Sequence, residues 1–113
     1  MTKGIKTIIY PVNDLDAAKQ LFTALIGSDP AQDTPYYVGW DVSGQDIGLD
    51  PNGHRNGATS PTGYWHVDDI QQTLKELTTA GATQQQDVRD VGGGRLIATV
   101  TDADGNVIGL LQP

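Results

Sequence analysis

Residues 10–15, Tyr-Pro-Val-Asn-Asp-Leu, and residues 65–70, Trp-His-Val-Asp-Asp-Ile, carry one grammar twice. In each, an extended run ends on valine (Val12, Val67), an aspartate follows two positions later (Asp14, Asp69), and an aliphatic residue opens the next segment (Leu15, Ile70). The offset between the two copies is 55 residues at all three positions. Aspartate suits such a place because its carboxylate accepts hydrogen bonds from the open amides of a helix's first turn. Upstream, residues 5–12 (Ile-Lys-Thr-Ile-Ile-Tyr-Pro-Val) are rich in β-branched side chains and too short for a buried helix, so they read as a strand, as do Tyr64–Val67. Downstream, Leu15, Ala18, Phe22, Leu25 and Ile26 predict one helical face closed by Gly27, and Ile70, Leu74 and Leu77 predict a second closed by Gly81.

Strands alone follow each helix. Residues 36–42 and 45–50 predict a hairpin on the two-residue turn Ser43-Gly44, and residues 95–101 and 106–112 predict another across Asp102-Ala-Asp-Gly105. With the extended stretches 28–34 and 83–90, each half reads β-α-β-β-β. Residues 51–63 are dense in turn formers and read as the linker, giving modules of about 1–53 and 61–113 within a single domain. One such half exposes a sheet face that a second half can cover. The predicted fold class is therefore α+β: two tandem βαβββ modules forming a curved mixed sheet, with helices on the convex side and a concave cleft.

Composition removes several functions. Acidic residues outnumber basic ones 14 to 7, for a net charge of −7. No basic patch stands out, which argues against nucleic acid or an anionic membrane as partner. The absence of cysteine excludes disulfides, thiol catalysis, iron–sulfur clusters and zinc fingers. The opening residues are too short and polar a run for a signal peptide or membrane span, so the expected location is cytoplasmic.

The duplicated arrangement resembles the vicinal oxygen chelate superfamily, which includes glyoxalase I, extradiol dioxygenases, fosfomycin resistance enzymes and bleomycin-binding resistance proteins. The resemblance rests on Tyr10-Pro-Val-Asn-Asp-Leu-Asp-Ala-Ala18, Trp65-His-Val-Asp-Asp-Ile70 and Thr101-Asp-Ala-Asp-Gly-Asn106, and covers essentially the whole chain. Ala103 replaces the proline usual in the last motif. Metal-using members place a ligand on the first and last strand of each half, and the matching positions here are Thr7, Gly48, Thr62 and Gly109. Glycine has no donor side chain and threonine is a poor ligand for these metals, which prefer imidazole and carboxylate. The resemblance thus implies the fold and the cleft but not the catalytic metal, and no cofactor is expected. It also implies a homodimer.

His54, His66, Asp46 and Asp50 are the remaining donors from which a different metal site could be assembled. Strand alternation places Thr62, Tyr64 and His66 on one face and sends Trp65 and Val67 toward the core. On the first hairpin, the two-residue turn would pair Asp41 with Asp46, Gly39 with Gly48, and Tyr37 with Asp50, leaving Tyr36, Val38, Trp40 and Val42 for the helix side. The expected ligand wall is Thr7, Ile9, Tyr37, Gly39, Asp46, Gly48, Asp50, Thr62, Tyr64, His66 and Gly109, with the glycines leaving volume where a metal would sit. Such a mixture suits a small organic molecule, neutral or cationic, better than a phosphate. Gly92-Gly-Gly94 precedes a strand rather than a helix, so it reads as a strand connection and not a phosphate loop, and Arg95 could pair with Asp87 or Asp90.

Two functions follow. One is a metal-free binding protein that captures a small molecule, as the drug-sequestering members do. The other is a lyase- or dioxygenase-type enzyme, using an atypical metal site around His54, His66 and Asp50 or His66 as general base.

Overall fold

The structure, a computed structural model, describes residues 2–113. Its elements run β1 (Thr2–Pro11), α1 (Leu15–Ile26), β2 (Gln32–Asp33), β3 (Val38–Val42), β4 (Gln45–Asp50), β5 (Thr62–Val67), α2 (Ile70–Thr79), β6 (Thr83–Asp90), β7 (Leu96–Thr101) and β8 (Val107–Gln112). This is the expected β-α-β-β-β order, twice, and the fold class is α+β. The chain divides into two compact units, residues 7–62 and residues 63–113 with residues 2–6.

In the first unit the strand order is β2-β3-β4-β1, with β1 parallel to β4 and the rest antiparallel. Asp14 caps α1, its carboxylate accepting from the Ala17 amide at 3.0 Å. Gly27, at φ 87°, ends the helix in the left-handed conformation that costs glycine least. The core gathers Val38, Trp40 and Leu49, against which Leu15, Ala18, Phe22 and Ile26 of the helix pack. The Trp40 indole N–H donates to the Ser28 carbonyl at 3.0 Å, so the buried ring leaves no polar atom unmet. Two expectations need correcting here. Leu25 projects away from the core at 76% exposure, because α1 already seats Phe22 and Ile26 and one face of a helix spans only about 100°. Tyr36 is equally exposed, because β3 begins only at Val38 and the alternation that would turn Tyr36 toward the helix never reaches it.

In the second unit the order is β5-β8-β7-β6, with β5 parallel to β8. Asp69 caps α2 through the Gln72 amide at 3.1 Å, and the Ile70 amide donates to Gln112 Oε1 at 2.9 Å, which fastens the helix start to β8. Val67, Ile70, Leu74, Ala98, Val100 and Leu110 form the core. Trp65, expected there, is 37% exposed. Helix α2 packs over β6, β7 and β8, so Trp65 on β5 lies beside rather than beneath it.

The β7–β8 connection is organised by Asp102, whose carboxylate accepts from the Asp104 and Asn106 amides and from the Asn106 side chain at 2.8–2.9 Å. The Asn106 side-chain amide, then its backbone amide, hold the carboxyl below the usual range. A lowered folded pKa stabilises above the unfolded value of about 3.9 and ceases to do so as pH falls through the folded value. Asp102→Asn should therefore flatten the acid limb of a stability–pH curve below about pH 4, read by urea denaturation. Asp69→Ala should cost about 1 kcal/mol at neutral pH in the same assay, the usual loss on deleting a helix cap.

Candidate functional site

Each unit has a sheet face opposite its helix, and the sequence-derived site residues other than His54 lie on or over these two faces. The hairpin turn has the expected two residues, with Ser43 and Gly44 at φ 53° and 83°, and it fixes the pairs Asp41↔Asp46 and Gly39↔Gly48. Tyr37 does not pair with Asp50, because it lies in a turn before β3. Thr34 holds that turn: its hydroxyl accepts from the Tyr36 and Tyr37 amides and donates to the Tyr37 carbonyl.

On the face of the first unit, Gly39, Gly48 and Ile9 form a row across β3, β4 and β1. The Tyr37 ring lies over that row. A Cβ on Gly39 would fall 2.8 Å from Tyr37 Cε2; one on Gly48 would fall 2.6 Å from Tyr37 Cζ, nearer still to its hydroxyl, and 2.7 Å from Ile9 Cδ1. Thr7 is buried and its hydroxyl donates to Asp46 at 3.4 Å. Asp50, at the end of β4, accepts from the Asn52 amide at 2.8 Å. Ile9, Tyr37, Asp46 and Asp50 are half-buried.

The corresponding row in the second unit is Thr99, Gly109 and Tyr64 across β7, β8 and β5. Here the strand's own tyrosine covers the glycine: a Cβ on Gly109 would fall 2.6 Å from Tyr64 Cδ1, 2.8 Å from its Cγ and 2.8 Å from the Gly63 carbonyl oxygen. Tyr64, His66, Ile97, Thr99 and Leu111 are all buried, and the Thr99 hydroxyl donates to Gln85 Oε1 at 3.0 Å. Ile97, Thr99 and Leu111 were missed as face residues, although the β7–β8 register places them beside Gly109 and Tyr64. Thr62 opens β5 and is half-buried.

The expected volume above the glycines is therefore a correction. It is filled by the Tyr37 ring in one unit and the Tyr64 ring in the other. Backbone without Cβ lets a ring approach closely, and dispersion favours that contact over a void. The residues at Thr7, Gly48, Thr62 and Gly109 do not fit a divalent metal: two have no side chain, and the space a donor side chain would need belongs to a phenol. His54 is exposed in the 51–57 turn, with Nδ1 3.0 Å from the Ala58 carbonyl. Among the described residues no group of three or more His, Cys, Asp or Glu is disposed to hold a metal ion, nor is any helix long and apolar enough to cross a membrane.

The family description Glyoxalase/Bleomycin resistance protein/Dioxygenase superfamily matches residues 4–110. The chain belongs to this superfamily. Solved structures agree on the fold. The chain is similar to methylmalonyl-CoA epimerase from Mycobacterium tuberculosis (TM-score 0.74, 16% identity, 99% of this chain and 89% of that one covered). It is also similar to a glyoxalase/bleomycin resistance protein/dioxygenase superfamily member from Vibrio splendidus (0.68, 15%, 100% of both chains). A third similar structure is described as an NAD-dependent benzaldehyde dehydrogenase from Legionella pneumophila (0.77, 11%, 94% and 96%). No curated protein matches the chain by sequence.

The two seats differ in what can yield. At Gly48 a new methyl meets the far ends of Tyr37 and Ile9, whereas at Gly109 it meets the base of a ring and a backbone carbonyl. Gly109→Ala should destabilise by about 1–3 kcal/mol, as overpacking does, and Gly48→Ala by less. In a Tyr37→Ala background the Gly48→Ala cost should shrink, a coupling that a double-mutant cycle in urea measures.

Proposed function

We propose that this member of the superfamily captures a small organic molecule on the helix-free face of residues 7–62, without the divalent metal that its catalytic relatives use. The observation carrying this reading is the seating of Tyr37 and Tyr64 on Gly48 and Gly109, which leaves no donor side chain at either position. The half-buried Ile9 and Tyr37 offer apolar and aromatic contact, and Thr7 and Asp46 a polar edge. A few directed polar groups in apolar surroundings are what a small-ligand site needs. Asp46 and Asp50 raise the local negative potential, which favours a neutral or cationic molecule over an anion. The structural relatives carry names from different chemistries at 16% identity or less, so their likeness speaks for the fold and selects no activity.

Native mass spectrometry tests this reading. The purified chain is expected to run as a homodimer and to take up no stoichiometric Zn²⁺, Ni²⁺, Mn²⁺ or Fe²⁺ when each is added. One firmly held ion per chain, lost in His54→Ala or His66→Ala, would replace capture with the metalloenzyme reading.

A further inference from the structure

We infer that the outer face of α1 is the contact through which two copies of this chain pair, helix against helix about a twofold axis. Helical spacing puts Ala17, Leu21, Ala24 and Leu25 on one stripe. All four are exposed, Leu21 at 67% and Leu25 at 76%. The duplicated fold contains its own control. By the 55-residue offset these positions match Gln72, Glu76, Thr79 and Ala80 at α2, which are exposed as well. There the outward face is dressed for water: Gln72 Nε2 donates to Glu76 Oε1 at 3.2 Å, and Lys75 stands where α1 has Gln20. The same architecture is thus built in the second unit with mostly polar residues at these positions, so the fold does not require the leucines of α1.

What fits the stripe is a second copy. The chain carries a net charge of −7, yet no residue from Gln20 to Ser28 is ionisable. Two copies repel each other least where they meet on uncharged surface, and this stripe supplies it. A lipid surface is the poorer match. Interfacial helices flank their apolar face with lysine and arginine, whereas α1 has only Lys19, already paired with Asp33, and carries Asp16 in its first turn. The stripe is also complementary to itself. Leu21 lies one turn from the small Ala17 and Ala24, so under a twofold axis Leu21 of each copy enters the gap beside Ala24 of the other. The two leucines and two alanines expose on the order of 350 Å² of apolar surface, a patch size that marks an interaction site. A standard interface covers about 800 Å² on each partner, a little over half of it apolar. The stripe therefore supplies most of an interface centre, and the exposed Gln20 and Ser28 begin its rim. Helix α1 packs on the opposite side of the sheet from the face proposed for capture, so pairing does not rest on that reading.

Sedimentation equilibrium of the full chain tests the contact. Wild type should be dimeric at micromolar concentration. Leu21→Glu, which installs the residue type of the matching position 76, should raise the dimer dissociation constant at least about thirtyfold, because a twofold axis makes one substitution remove the anchor from both sides. Glu76→Gln on α2 should leave that constant unchanged. The chain has no cysteine, so Ala24→Cys provides a single thiol. A short bismaleimide should link this variant to its own copy and leave Thr79→Cys on α2 unlinked. Should Leu21→Glu fail to fold, the linking pattern decides alone. A monomeric wild type, a dimer that folded Leu21→Glu leaves intact, or linking of Thr79→Cys as fast as Ala24→Cys would overturn the inference. A monomer that floats with phosphatidylcholine vesicles would do so too, giving the stripe to a lipid surface. None of these outcomes bears on metal-free capture, which metal uptake in the mass spectrum removes whatever the state of association.

Discussion

A phenol ring resting directly on glycine backbone is the contact around which both helix-free faces are arranged. It exists only because Gly39, Gly48 and Gly109 lack a Cβ, so that ring atoms lie where a side chain would begin. A metal ligand at Gly48 or Gly109 and a tyrosine over it exclude each other, because both require the same few cubic ångströms. Where the resemblance would place metal ligands, positions 48 and 109 hold glycine beneath a tyrosine ring.

Duplication supplied the two seats, but the modules fill them differently. Position 64 corresponds to position 9 by the 55-residue offset, and it holds tyrosine where position 9 holds isoleucine. The second module therefore covers its glycine with a residue of the neighbouring strand. The first has only the branched end of Ile9 there and draws its ring from the turn before β3. Ile9, Tyr37, Asp46 and Asp50 of the first module are half-buried, whereas Tyr64, His66 and Thr99 of the second are buried.

Helix coverage explains the two tryptophans. Trp40 lies on β3 beneath α1, with its ring centroid 6.1 Å from that of Phe22, and is buried. Trp65 lies on β5, while α2 spans β6 to β8. Both alternate to the helix side of their strands, and only one has a helix above it. The same limit on helix width leaves Leu21 and Leu25 of α1 in solvent.

Short-range physics made much of this legible in the residues. Asp14 and Asp69 cap because an N-cap needs only its own first turn, Gly27 stops α1 because of its own φ, and Ser43-Gly44 sets a register that pairs Gly39 with Gly48 through strand alternation alone. These interactions span a few residues, so the sequence by itself determined the βαβββ order, the helix starts, the first hairpin's pairs Asp41–Asp46 and Gly39–Gly48, and the glycines at 48 and 109. Where Tyr37 sends its ring and whether Trp65 is covered depend on packing between elements distant along the chain and on rotamers that pattern does not encode. The space above a glycine belongs to whichever side chain reaches it first, and only the tertiary structure decided that these were Tyr37 and Tyr64.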